Sequence, residues 1–174
     1  GQLTGTCFQR CAGLDTLSVL FSITYDIDKQ HGTSYHERFV SFLKKAQSHN
    51  LIVGAGMTDP KGDRSKRPSN QSDPDLFMHV TRRTKEGLYV KGAKAHMTGG
   101  LNSHWICVMP TMNMLEADKD YAVIGMVPAT APGLTYVYGR RSCDRRALEP
   151  GDIEQGSAKY GGQETHVVFG DVFV

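Results

Sequence analysis

The sequence predicts an α+β fold in which two N-terminal helices are followed by an antiparallel β-barrel or sandwich. Apolar residues recur at helical spacing up to about residue 50, and short β-rich segments without helical periodicity follow. The connections between those segments are rich in Pro, Gly and Asp, which favour turns. We therefore expect a helical segment over residues 1–50, as part of a larger helical domain, and a central β-domain over residues 51–174.

Two helices are predicted in the first region. The first should end before Gly32, a suitable helix terminator, and its broad apolar surface consists of Leu14, Leu17, Leu20, Phe21, Ile23 and Ile27. The second should stop near Asn50, and Ser34 with Glu37 three residues later forms a capping-box pattern at its start. Because both helices carry so much apolar surface, they require a further packing layer.

Seven short segments are predicted as strands, a number that suits an antiparallel barrel or sandwich. They are Leu51–Val53, Leu76–Arg82, Gly87–Lys91, His104–Pro110, Tyr121–Val127, Leu134–Tyr138 and Thr165–Phe169. Histidines that fall within these segments, His79, His104 and His166, are expected to be packed. The polar segment Asp63–Asp75 is predicted to be a loop, and loops of that length in compact domains are usually functional or mobile.

Composition excludes several classes of partner. The 174 residues carry 20 basic and 18 acidic side chains, so the net charge of +2 gives no field that would attract a nucleic acid. The apolar stretches are far shorter than the roughly 20 residues that cross a bilayer, so no membrane partner is expected. Four cysteines are few for a disulfide scaffold, which favours the cytoplasm. The apolar end Val172–Val174 and the unpartnered helices suggest a fragment or one chain of a split protein.

Cys7 and Cys11 form the sharpest local motif. A helix would place their sulfurs about one turn apart on the same side. One interpretation is that both are small, buried hydrophobes. The other is half of a four-ligand site, either an iron–sulfur cluster or zinc, since thiolates suit both. Cys107 and Cys143 have no ligand-like spacing to this pair, so the remaining ligands would lie outside this chain.

A second motif could contact an anionic cofactor through glycine, backbone donors and basic side chains. It consists of Met57, Thr58, Asp59, Pro60, Lys61, Gly62, Asp63 and Arg64. A plain surface turn is the alternative, because these residue types favour turns by themselves. The motif lacks the sequence pattern of a P-loop and that of a dinucleotide fingerprint.

Two glycine pairs lie beside further candidate residues. Gly99 and Gly100 follow His96 and Thr98 at the end of a strand, and a second pair at 161–162 precedes Glu164. Such glycines allow a ligand to approach the backbone closely, although a simple bend between strands is the alternative. Glu164 is an ordinary solvated carboxylate unless it lies beside a cofactor, where it could handle a proton.

These motifs resemble the flavin-dependent dehydratases that act on 4-hydroxybutyryl-CoA, also called vinylacetyl-CoA isomerases, which are a branch of the 4-hydroxyphenylacetate 3-hydroxylase group. Further matching segments are Gly92–His96, Asn102–His104, Met109–Thr111, Glu116–Val123, Tyr138–Arg140 and Ser142–Asp144. The resemblance extends along nearly the whole chain. It implies a fold like that of the acyl-CoA dehydrogenases, with the β-region as their middle domain, and a homo-oligomer, specifically a tetramer.

The resemblance also implies the cofactors and their residues. FAD would be held by Met57–Arg64 together with His96 and Thr98, and Glu164 would be an active-site glutamate. A [4Fe-4S] cluster would take three cysteines and one histidine, of which Cys7 and Cys11 match the first two. The histidine, which is also the implied base, and the third cysteine belong to a later helical segment. The chain therefore needs the remaining helical segments of the enzyme and should be inactive alone.

The implied reaction converts an acyl-CoA substrate, 4-hydroxybutyryl-CoA, to crotonyl-CoA through a substrate radical, with vinylacetyl-CoA isomerisation as a related activity. A one-electron step through a cofactor is a sensible route, because the hydrogen to be removed is weakly acidic. Two alternatives stay open. One is a two-component flavin-dependent phenol monooxygenase of the 4-hydroxyphenylacetate 3-hydroxylase type, which has no cluster, and the other is a non-catalytic β-module of a split enzyme.

Overall fold

The structure, a computed structural model, describes residues 8–138 and 164–174. Two α-helices precede seven strands in the described residues, so the predicted α+β class is confirmed. The elements are α1 (Phe8–His31), α2 (Tyr35–Ser48), β1 (Val53–Gly56), β2 (His79–Arg83), β3 (Leu88–Thr98), β4 (Trp105–Val108), β5 (Gly125–Pro128), β6 (Leu134–Val137) and β7 (Glu164–Phe173). Neither helix combines the length and the apolar character that a membrane-crossing helix requires, as far as the described residues extend.

The first helix packs tightly on the β-region. A Cβ atom added to Gly13 of α1 would lie 2.1 Å from the carbonyl oxygen of Val53, so this close approach requires glycine. At its other end, α1 ends at His31, just before Gly32, as predicted. Gly32 has a φ of +65° and donates its N–H to the carbonyl of Asp28 at 2.8 Å.

The predicted capping box at the start of α2 is wrong. Ser34 makes no side-chain cap hydrogen bond. The carboxylate of Asp28 in α1 instead accepts the N–H of Tyr35 at 2.9 Å and that of His36 at 2.8 Å. A carboxylate satisfies the first N–H groups of a helix as well as a local serine does, so α1 supplies the cap for α2.

The strands form two sheets rather than the closed antiparallel barrel that was one form of the prediction. Within the described ranges, one sheet has the order β1-β4-β5 and the other the order β2-β3-β7-β6. The antiparallel prediction also fails for β1 and β4, which pair in parallel from Val53 and Trp105 to Gly56 and Val108. The chain builds β2 and β3 of the other sheet between these strands, and such a long crossover permits parallel pairing.

Two apolar clusters hold the layers together. The larger lies between the sheets and includes Val90, Ile106, Val127 and Val167, all 0% exposed. The smaller joins the helices to β1 and β4 through Leu17, Leu20, Phe39, Val53 and Cys107. The helices thus cover the outer side of the three-stranded sheet, while the four-stranded sheet keeps an exposed outer face.

A bulge in β3 decides which side chains reach that outer face. The pairing with β7 shifts between Lys94 and Met97, and His96 within the bulge has a φ of +50°. Lys94 and Met97 are both buried although they are three positions apart, because the extra residue reverses the alternation of the strand. Thr98 is thereby placed on the outer face instead of the core.

One buried carboxylate fixes the loop Asp63–Asp75. Asp118 is 1% exposed and accepts bonds from Nε and Nη2 of Arg67 at 2.9 and 2.8 Å. It also accepts the N–H and hydroxyl of Ser69 at 3.2 and 2.7 Å and the N–H of Leu115 at 3.2 Å. Burial alone would raise the pKa of Asp118, but the hydrogen bonds from Ser69 and Arg67 outweigh burial and hold the pKa well below its usual value.

We expect Asp118→Asn to lower the free energy of unfolding by about 3 kcal/mol at neutral pH, because the partners of a buried anion lose their charge-assisted bonds. The folded pKa is depressed, so the carboxylate contributes its stability above the unfolded pKa of about 3.9 and loses it as pH falls further. The difference from the parent, measured by urea unfolding, should therefore be constant near neutrality and shrink below about pH 4.

The matched control for this prediction is Asp120→Asn. Asp120 also pairs with an arginine, Arg83 at 2.6 Å, but its side chain is 51% exposed. An exposed pair contributes about 0–1 kcal/mol, so the control should change stability little. A deficit of Asp118→Asn that stays constant down to pH 3 would contradict the expectation.

Candidate functional site

The segment Met57–Arg64 follows β1 and lies directly beside β3. The N–H of Ala95 in β3 donates to the carbonyl of Thr58 at 2.8 Å. Gly62 has a φ of +49°, and a Cβ there would lie 2.4 Å from Cδ2 of Leu76, so the segment folds closely over the loop that follows it. Thr58, Lys61, Gly62, Asp63 and Arg64 are exposed, Met57 is 43% exposed, and Pro60 is half-buried.

Asp59 differs from its neighbours because its carboxylate points into the protein. Its side chain is 6% exposed, and Oδ1 accepts a hydrogen bond from Nζ of Lys94, itself 2% exposed, at 2.5 Å. Oδ2 accepts the hydroxyl of Thr111 at 3.0 Å. Nζ also donates to the carbonyls of Met57 at 3.2 Å and Met109 at 2.7 Å. The carboxylate of Asp59 is thus engaged inside, and the neighbouring residues form the outer surface of the segment.

Thr98 and Glu164 meet on the outer face of the four-stranded sheet. They are directly paired across β3 and β7, and the hydroxyl of Thr98 donates to Oε1 of Glu164 at 2.6 Å. A hydroxyl that donates can still accept, and a carboxylate has a second oxygen, so the pair can bind a further polar group. The preceding glycines, Gly161 and Gly162, lie outside the described residues.

Two histidines lie beside this pair. The rings of His96 and His166 have their centroids 5.5 Å apart, and both side chains are exposed. The expectation that His166 is packed is wrong, because it alternates with the buried Thr165 and Val167 along β7. The period of two starting from Glu164 was the signal that could have placed His166 on the same face.

The same face also carries apolar side chains. Val137, which pairs with His166, is 50% exposed, and Val168 is 41% exposed. Polar groups that converge next to open apolar surface suit a planar ligand with apolar rings and polar edges.

The cysteines have contrasting environments. Cys7 lies outside the described residues, as does Cys143. Cys11 lies in α1 and is exposed, so it is not the buried hydrophobe of the first interpretation. Cys107 is 0% exposed, and burial raises the pKa of its thiol to about 12, which disfavours it as a thiolate ligand at neutral pH. Over residues 8–138 and 164–174, no group of three or more His, Cys, Asp or Glu is arranged to hold a metal ion.

Sequence comparisons show which proteins are similar to this chain. The sequence model of the protein family described as 4-hydroxyphenylacetate 3-hydroxylase N terminal matches residues 1–174. The 4-hydroxybutyryl-CoA dehydratase/vinylacetyl-CoA-Δ-isomerase of Clostridium aminobutyricum is 53% identical over 175 residues, which is 100% of this chain and 36% of that protein. The oxygenase component of 4-hydroxyphenylacetate 3-monooxygenase from Thermus thermophilus is 25% identical over 155 residues, or 87% of this chain and 31% of that protein.

Solved structures share the fold. An oxygen-tolerant archaeal 4-hydroxybutyryl-CoA dehydratase from N. maritimus has a TM-score of 0.87 and 56% identity, covering 100% of this chain and 35% of that one. The oxygenase component of a 4-hydroxyphenylacetate 3-monooxygenase complexed with FAD has a TM-score of 0.69 and 24% identity, covering 91% and 32%. The chain spans about a third of the length of these relatives. Because the family model matches it from end to end, the chain belongs to the 4-hydroxyphenylacetate 3-hydroxylase N-terminal family.

Proposed function

We propose that this chain supplies the flavin-binding face and two cluster ligands of a dehydratase. The complete enzyme would convert 4-hydroxybutyryl-CoA to crotonyl-CoA and water and would also isomerise vinylacetyl-CoA. The observation that carries the proposal is 53% identity along the whole chain to a dehydratase/isomerase, against 25% to a monooxygenase component. Because the chain spans 36% of that dehydratase, the activity is proposed for an assembly that includes further helical segments.

The outer face of the four-stranded sheet and the neighbouring segment fit FAD. Lys61 and Arg64 are exposed and have no acidic partner in the part of the chain that the structure describes, so their charge is available to a diphosphate. Thr98 supplies a hydroxyl for the polar edge of a flavin, beside the open apolar surface at Val168. When bound, FAD supplies one-electron chemistry that side chains lack.

In this arrangement the side chains of the chain have two roles. They bind and orient the flavin, and they hold or move a proton. Thr98 fixes Oε1 of Glu164 at 2.6 Å, while Oε2 has no partner within the described residues and can face a substrate hydrogen or a water molecule. We assign Glu164 the role of holding or transferring a proton through Oε2. His96, which the bulge places on the same face, would border the flavin.

Two of four ligands of a [4Fe-4S] cluster would come from α1 and the residues before it. The exposed Cys11 supports this proposal, because a thiol at the surface of a helix can reach a cluster shared with another segment. Cys7 lies one helical turn earlier in the sequence, and the other two ligands would come from segments outside this chain.

A flavin-dependent phenol monooxygenase is the second candidate, favoured by the 25% identity to an oxygenase component. Analysis of iron, acid-labile sulfide and flavin in the anaerobically purified assembly separates the candidates. A dehydratase should contain FAD with iron and sulfide in equal amounts, whereas a monooxygenase component should contain no iron. The third candidate, a non-catalytic β-module, should contain neither cofactor.

FAD affinity tests the proposed binding residues. In the complete protein, Thr98→Ala combined with Lys61→Ala should weaken FAD binding at least about tenfold, because each lost polar contact to the ligand costs roughly 1 kcal/mol or more. Fluorescence titration measures the Kd. Lys85→Ala, which changes another exposed lysine in the turn between β2 and β3, is the control and should leave the Kd unchanged. If the double variant bound FAD as tightly as the parent, the assignment of these residues would be wrong.

A further inference from the structure

We propose that the buried ion pair between Lys94 and Asp59 is a positioning device that holds the segment Met57–Arg64 in the conformation that receives FAD. The inference rests on the proposed function, since it assumes that this segment binds the flavin. It assigns Asp59 a role behind the binding surface rather than on it.

The pair connects three parts of the chain at one point. An ammonium group has three N–H donors, and Lys94 directs them to Oδ1 of Asp59 and to the carbonyls of Met57 and Met109. Two of these three acceptors, Oδ1 of Asp59 and the carbonyl of Met57, belong to the segment Met57–Arg64. The remaining carboxylate oxygen accepts the hydroxyl of Thr111, so the residues after β4 are tied to the same pair.

The position of the pair determines how the segment meets the candidate site. Lys94 is next to Ala95, whose N–H donates to Thr58, and the two contacts attach the segment to β3 where the bulge begins. His96 lies within that bulge and Thr98 follows it, and both reach the outer face. A shift of the segment would therefore change its distance to the residues that border the flavin.

Stability alone explains this pair poorly. Lys94 is 2% and Asp59 6% exposed, so both ions have lost most of their hydration. This desolvation lowers the pKa of Lys94, and the attraction of Asp59 opposes it. Apolar residues of similar volume often stabilise a fold as well as a buried ion pair does. What they cannot do is bind the carbonyls of Met57 and Met109 in a fixed direction.

In the complete protein, a charge-neutral double variant of matched volume, Lys94→Met with Asp59→Asn, separates a role in stability from a role in positioning the segment. The single variant Lys94→Met leaves a buried carboxylate unpaired and should lower both Tm and FAD affinity. The double variant should recover most of the Tm and still bind FAD on the order of tenfold more weakly than the parent. Its bound flavin should also give an altered visible circular dichroism spectrum at saturating FAD.

The control is Val127→Ala, a truncation in the core between the sheets at a residue that is 0% exposed. It should lower Tm while FAD affinity and the flavin spectrum stay those of the parent. Parental affinity and spectrum in the double variant would overturn the inference, as would an equal loss of affinity in Val127→Ala. If the parent failed to bind FAD, the proposed function would fail and the inference with it, so the two failures are distinguishable.

Discussion

Replacing Cys11 with serine in the complete enzyme should remove its iron and its dehydratase activity together, while FAD stays bound. Cluster iron is held by thiolate sulfur, and a serine hydroxyl is a poor substitute for it. Cys11 is exposed on α1, so its sulfur is accessible to a cluster shared with another segment. Iron and sulfide assays, the visible absorption of the cluster and turnover of 4-hydroxybutyryl-CoA measure the effect. Cys7→Ser should behave in the same way.

Cys107→Ala is the matched control for a lost thiol. Cys107 is buried against the helices, and its thiol is held protonated by burial, so the variant should lose some stability and keep its iron. Full iron content in Cys11→Ser would return Cys11 to the status of an ordinary surface residue. Loss of iron in Cys107→Ala as well would show that destabilisation, not ligation, controls the cluster.

Local patterns in the sequence predicted the elements well. Apolar periodicity located both helices, and Gly32 marked the end of the first because a residue with positive φ was needed there. The pairing of the strands was harder to predict from the sequence, because the parallel contact between β1 and β4 joins residues more than fifty positions apart. The predicted capping box of Ser34 failed for a related reason, because Asp28 supplies the cap. Its carboxylate reaches Tyr35 and His36 across the loop between two helices, which no local capping pattern encodes.

The candidate site depends on the extra residue in the bulge of β3, which no periodic pattern predicts. Strict alternation from the buried Lys94 would direct both His96 and Thr98 into the core. The bulge in β3 adds a residue, so Met97 is buried and Thr98 faces Glu164 across the sheet. Resemblance to a known family had singled out Thr98 and Glu164, but the hydrogen bond between them follows only from this register. The buried position of Asp59 likewise follows only from the structure, because composition alone predicts that this residue lies on the surface of a turn.

The largest effect on turnover without loss of a cofactor is expected for Glu164→Gln. A positioned acid or base typically contributes about 10²–10⁴-fold to a rate, equivalent to roughly 3–5 kcal/mol of barrier. Glutamine keeps the shape of the side chain and can still accept a hydrogen bond from Thr98 through its amide oxygen. It cannot exchange a proton, so kcat in the complete enzyme should fall by about that factor. FAD and iron content should equal those of the parent.

The control and the contrary outcomes separate this role from a solvated carboxylate. Glu116→Gln changes a carboxylate that is 93% exposed and lies 3.8 Å from Lys119, so its turnover should be that of the parent. Unchanged turnover in Glu164→Gln would make Glu164 a solvated surface group like Glu116. Loss of flavin in that variant would make it a binding residue instead. A fall in kcat with FAD Kd unchanged is the result that assigns Glu164 to proton transfer, because Thr98 then still orients the side chain and the missing proton is the difference.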